Sequence, residues 1–322
     1  MEQRTFWIVV LVVLVCLGVF WWLHSHPPKS CDEPKKKKKK PCKPKRKRRQ
    51  ASPKCSPPQV PQVTDSIPPQ VSGDELGFQV IVCDIAPLTT VMEASTRPHS
   101  ISAATAASSI TLGTVTSQNW AGYAVLGKNI TMAQGYCTVP TAKTTDTSSL
   151  ANWVGIDGYD NGYVEQAGII LISGKIVPFF EMYPYPAYTF NMPVGPNDTC
   201  YVIVQYTTNG RFTIRFYNIT QRKSTIIPQS YTINPRAPRT SAEYITEAPT
   251  LVNSNGNTIL NLPSFTNDVF TKCTCTVNGV TGAINDSHWT NNKINMVNAS
   301  NQVICSTGPL TANGQGFTET YV

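Results

Sequence analysis

Hydrophobic and polar positions along the chain fall into three regimes. From Phe6 to Leu23 the sequence is uninterruptedly apolar, with Trp7, Trp21 and Trp22 near the ends. Eighteen helical residues span about 27 Å, close to the hydrocarbon thickness of a bilayer, and terminal Trp side chains suit its interfaces. The run predicts one transmembrane helix over 6–23, within an N-terminal anchor of residues 1–26. A cleaved signal peptide fits less well, because no small-x-small site follows the run. Residues 27–70 are rich in Pro and Lys and show no apolar period, which predicts a disordered stalk. Residues 71–114 are transitional and read as a linker or pro-segment, with one candidate strand at Phe78 to Val82.

From residue 115 to 322 the pattern becomes that of strands. Ala121 to Leu126, Tyr201 to Tyr206 and Phe212 to Tyr217 are short, β-branched and aromatic. Thr208-Asn209-Gly210, Ser173-Gly174-Lys175 and Asn278-Gly279 supply turn signals between such runs. Amphipathic helical periodicity is missing. The expected fold is all-β: a two-sheet antiparallel β-sandwich of concanavalin or lectin type, preceded by the transmembrane helix and the basic stalk.

Charge sharpens this division. The formal net charge is +8, yet residues 29–54 hold 14 of the 27 Lys and Arg against two acids, Asp32 and Glu33. Beyond residue 115 there are 11 basic and 11 acidic side chains. The domain therefore lacks the basic face that nucleic-acid binding needs. Electrostatic partners belong to the tail, as anionic lipid headgroups or nucleic acid. Two arguments oppose each other on orientation. Basic residues follow the anchor, which favours a cytoplasmic domain; an acid hydrolase belongs outside the cell or in an acidic lumen.

Chemistry narrows by elimination. His288 is the one histidine beyond residue 115, so Ser/His/Asp and Cys/His hydrolases lack their base. Cys-x-x-Cys pairs are absent, as are phosphate loops, and no metal or cofactor is expected. The ten cysteines are either disulfide-bonded, in an oxidising compartment, or reduced and buried. Carboxylates and amides must do any catalytic work.

Four segments place such groups among apolar or glycine neighbours: Gln118 to Gly122, Trp153 to Gly158, Glu165 to Gly168 and Ser241 to Ile245. A polar group on an apolar sheet face is costly unless paired or used. With Phe180-Glu181-Met182-Tyr183-Pro184, these segments resemble the glutamic peptidases (eqolisins) in kind and order, over about residues 115–322. That resemblance implies a catalytic dyad of Gln166 and Glu243, with Trp120, Trp153, Asp157, Glu181 and Tyr183 lining the cleft and contacting a polypeptide substrate. Ionised Glu243 would take a proton from water and return it to the leaving amine, while Gln166 would hold the oxyanion. A Glu of ordinary pKa suits acidic operation. Period-two alternation puts Glu243 on one face with Ser241 and Ile245, and turns Glu165 away from Gln166. Glu247 shares the Glu243 face, but the Ala-Glu-aromatic context favours Glu243 as the acid. Met182, Glu165 and Ala167 depart from the family pattern.

The expected function is thus a membrane-tethered acid endopeptidase with no covalent intermediate. The alternatives are a catalytically silent lectin-like binding sandwich, and a structural membrane or virion protein whose basic tail binds nucleic acid.

Overall fold

The computed structural model describes residues 77–88, 92–93, 102–103, 113–253 and 256–322, all within the compact unit Ser66–Val322. The expected anchor (6–23) and stalk (27–70) lie outside the described residues. Among the described residues there is no helix, and so none long and apolar enough to cross a membrane.

Three hairpins form where the turn dipeptides stand. Ser173-Gly174, Asn209-Gly210 and Asn278-Gly279 all have positive φ, the backbone that two-residue hairpin turns require. They join Ile172 to Lys175, Thr208 to Arg211 and Val277 to Val280 as facing pairs.

Most strands belong to one hydrogen-bonded network that folds into two layers. The front layer runs Thr290–Val297, Trp120–Leu126, Ser241–Glu247, Ser149–Ile156, Val164–Ile172, Lys175–Tyr183, Tyr188–Phe190. The back layer runs Asp268–Val277, Ile130–Thr138, Thr199–Thr208, Arg211–Asn218, Lys223–Ile226. At one end Val303–Thr307 and Phe317–Tyr321 carry the ladder from front to back. The all-β expectation holds, but the sheet is mixed. Gln79–Val80 runs parallel to Lys223–Ile226, and Thr114–Ser117 parallel to Thr290–Val297.

Alternation sorts the front-layer side chains. Val154, Ile156, Ala167, Ile169, Phe180, Ala242 and Tyr244 face the back layer, where they meet Ala133, Val202, Val204, Phe212 and Phe216. Trp120, Ala124, Trp153, Ile170, Phe179 and Ile245 form a second apolar cluster, packed against by Leu88, Tyr183 and Leu251. The site lies on this second face. The described cysteines carry free thiols, and all but the half-buried Cys83 are buried.

The inter-layer core also holds acids. Asp268 and Glu319 face each other across adjacent strands, both buried. Asp268 accepts Asn152 Nδ2–H (2.5 Å) and Thr246 Oγ1–H (2.8 Å); Glu319 accepts Thr307 Oγ1–H (3.0 Å). Burial pushes Asp268 up to about 7 and, with the Asp268 charge, Glu319 up to about 8.

Candidate active site

Strand register aligns the polar residues of the second face in one row. Glu243 stands opposite Ala124 on one side and Gly155 on the other. Gly155 faces Gln166, and Gln166 faces Glu181. Glu243 and Gln166 are thus two strands apart, about 10 Å between Cα atoms at ordinary strand spacing, with a residue lacking a side chain between them. A Cβ on Gly155 would come within 3.0 Å of the Trp153 ring and 3.1 Å of Gln166 Cβ. Gly155→Val is expected to cost about 1–3 kcal/mol by overpacking and to lower peptide hydrolysis more than it lowers the melting temperature. Unchanged activity would show that the gap is not needed.

Glu243 is fully buried, and neither of its oxygens completes a hydrogen bond. Burial, reinforced by its acidic neighbours Asp157 and Asp160, pushes its carboxyl well above the usual range, while Ser241 works the other way. The ordinary pKa expected from sequence is therefore corrected: the carboxyl is more deeply buried, and a weaker acid, than the strand pattern indicates. Gln166 donates one Nε2–H to Glu181 Oε2 at 2.8 Å, and its Oε1 is buried without a partner. The second Nε2 hydrogen remains for a ligand. Unpartnered acceptors of this kind fit a water molecule, which needs two to four polar neighbours.

Trp120 and Trp153 are both fully buried and meet edge-to-face at 5.0 Å. Glu247 holds Trp153: its Oε2 accepts Trp153 Nε1–H at 2.8 Å and its Oε1 accepts Asn119 Nδ2–H at 3.4 Å; burial raises its carboxyl, and Trp153, Trp120 and Asn119 work the other way. Glu247→Leu leaves a buried indole N–H without an acceptor, so a loss of about 1–3 kcal/mol is expected, with altered Trp fluorescence. An unshifted unfolding midpoint would contradict that anchoring role.

Asp157 ends the Trp153 strand in a left-handed conformation, φ 70°. Its carboxylate accepts the N–H groups of Arg239 (2.7 Å) and Thr240 (2.8 Å) and Asn161 Nδ2–H (3.0 Å). It acts within the protein, fixing the turn that leads into the Glu243 strand. Tyr183 packs at the edge of the apolar cluster, and its carbonyl accepts Asn234 Nδ2–H. His288 is exposed, 2.7 Å from Asp286. Sequence reasoning missed Asn234 and the structural weight of Glu247. The signal for Glu247 was present, since it shares the Glu243 face.

The structure thus has a two-layer β fold with buried carboxyl and carboxamide groups in register on one face. The chain belongs to the peptidase A4 family, whose sequence profile matches residues 118–318. It is a peptide hydrolase, and its substrates are polypeptides. A solved structure of scytalido-glutamic peptidase with a peptide-based transition-state analog is similar at 23% identity and a TM-score of 0.54, covering 64% of this chain and 98% of that one. A structure of SCP-B, an eqolisin in complex with the tripeptide Ala-Ile-His, is similar at 21% identity and a TM-score of 0.53, with the same coverage. No curated protein sequence matches significantly. Among the described residues no group of three His, Cys, Asp or Glu side chains is placed to hold a metal ion.

Proposed function

We propose that this protein is a membrane-tethered acid endopeptidase in which Gln166 and Glu243 activate water for direct attack on a peptide bond. The observation that carries this reading is the row Glu243–Gly155–Gln166, with unpartnered acceptor oxygens on both side chains. Water entering beside Glu243 supplies the hydrogen bonds that favour its anion. The Glu243 carboxylate takes a proton from that water as the oxygen bonds to the carbonyl carbon. The oxyanion that forms accepts the free Nε2–H of Gln166. As the C–N bond breaks, Glu243 returns the proton to the leaving nitrogen. The indoles of Trp120 and Trp153 give the face its low dielectric, which strengthens each of these interactions. Trp120, Trp153 and Tyr183 would flank the substrate; Glu181 orients the Gln166 carboxamide, and Asp157 the Glu243 strand.

The tether in this proposal is the apolar run at 6–23, and the basic stretch at 29–54 would rest on anionic lipid headgroups or nucleic acid. An extracytoplasmic or acidic luminal domain suits acid chemistry. Incubating the protein with denatured polypeptide in acid, in water enriched in heavy oxygen, tests the reaction. Cleavage with one labelled oxygen per new carboxylate, and no transfer of the acyl group to added hydroxylamine, supports direct water attack. Binding without cleavage at every acidic pH would favour a silent, lectin-like sandwich. Protease accessibility of the domain in sealed vesicles tests its side of the membrane.

A further inference from the structure

The turn before Glu243 hangs on Asp157, which binds the N–H groups of Arg239 and Thr240 and donates its own N–H to the Ser241 carbonyl at 2.9 Å. Glu165 stands next to this turn, one residue before Gln166 and on the opposite face of its strand, fully buried. One Glu165 oxygen accepts Asn234 Nδ2–H at 2.6 Å, and Asn234 also donates to the Tyr183 carbonyl. The other Glu165 oxygen is buried with no N–H or O–H donor; Glu165 stands opposite Ile156 in the strand register, which makes the carboxyl of the next residue, Asp157, its side-chain neighbour. Two carboxylates present only acceptors to each other, so this contact requires a proton on one of them. Asp157 takes three N–H donors, which favour its anion. Glu165 takes one, so the proton sits on Glu165.

We propose that Glu165 is a positioning residue: as a neutral acid it donates its O–H to Asp157 and so ties the Gln166 strand to the turn that launches Glu243. The role rests on the reading of Gln166 and Glu243 as the reacting pair. Burial, reinforced by the Asp157 charge, holds the Glu165 proton well above the usual carboxylate range. The other charged groups close by, Asp160 and Glu243, are also acidic. Arg239 turns its guanidinium to the Tyr206 ring, 4.0 Å away, and to the Ile130 carbonyl, while Arg236 offers its backbone N–H to Asn234. Losing the Glu165 proton sets two carboxylates side by side in the core. The tie then becomes a repulsion, and Glu243 shifts from Gln166.

The test is the pH dependence of kcat/KM and of the melting temperature for the full chain, Glu165→Gln and Glu165→Leu. Gln keeps the shape, donates N–H to Asp157, accepts from Asn234 and cannot titrate. Glu165→Gln is expected to retain acid activity, to carry the high-pH fall of kcat/KM upward by about one pH unit or more, and to make the fall of the melting temperature with pH shallower. Glu165→Leu breaks the tie and is expected to lower kcat about 10- to 100-fold in acid, with KM moved less. A Glu165→Gln profile superimposed on wild type overturns the proposal. If the wild type never cleaves peptides yet Glu165→Gln shifts the melting profile, the tie stands and the dyad reading falls. An active wild type with unshifted Glu165→Gln profiles gives the reverse.

Discussion

Glu243→Gln is expected to lower kcat/KM for peptide hydrolysis at about pH 4 by roughly 10³- to 10⁴-fold, the upper part of what a positioned general base contributes. The carboxamide has the same shape and cannot take a proton from water. Stability in acid should not fall, because the carboxamide keeps the shape of the protonated carboxyl and can still accept from Ser241. An unaltered or raised melting temperature would therefore accompany the lost activity. Gln166→Ala removes the oxyanion donor and should cost about 10²- to 10³-fold. The double variant should lose little more than the worse single one, since groups acting on one water are far from additive. Persistent cleavage by either single variant would remove both residues from the chemistry.

The second large effect is on stability. Raising the pH from about 4 to about 9 is expected to cost several kcal/mol of folding free energy. In the folded protein Asp268 and Glu319 keep their protons to about 7 and about 8, whereas in the unfolded chain they release them near pH 4. Across that window the folded state binds more protons, so stability falls by about 1.4 kcal/mol per pH unit and carboxyl. It is fully present below the unfolded values and gone once pH passes the folded ones. About three units each gives roughly 4 kcal/mol per carboxyl, enough together to unfold a domain of ordinary stability. Glu165, Glu243 and Glu247 shift in the same sense. Urea unfolding across this pH range measures the slope, and Asp268→Asn should flatten it. A flat wild-type profile would contradict the assignment.

The sequence disclosed what is local. Asn209-Gly210, Ser173-Gly174 and Asn278-Gly279 announce their hairpins because each dipeptide admits positive φ. Period-two alternation put Ala242 and Tyr244 on the inter-layer face and Glu243 on the other, as the two clusters confirm. Pairings between distant strands were hidden. Nothing in Gln79-Val80 announces a parallel partner at Lys223-Ser224, and no periodicity reveals that Asp268 faces Glu319. Asp157 misled for another reason. The family resemblance puts it at the cleft, but its left-handed φ turns the chain off the strand, and its carboxylate accepts backbone N–H groups. For Glu243, the strand pattern said nothing of depth, so its ordinary pKa was the wrong expectation.

The account stands on Gln166 and Glu243 reaching one reacting centre across Gly155. A structure of the protein with a peptide-based tetrahedral analog of the hydrolysis intermediate tests this most directly. One analog oxygen should lie about 3 Å from Gln166 Nε2 and another about 3 Å from the Glu243 carboxyl. An analog seated elsewhere, or touching only one of the two side chains, would contradict it.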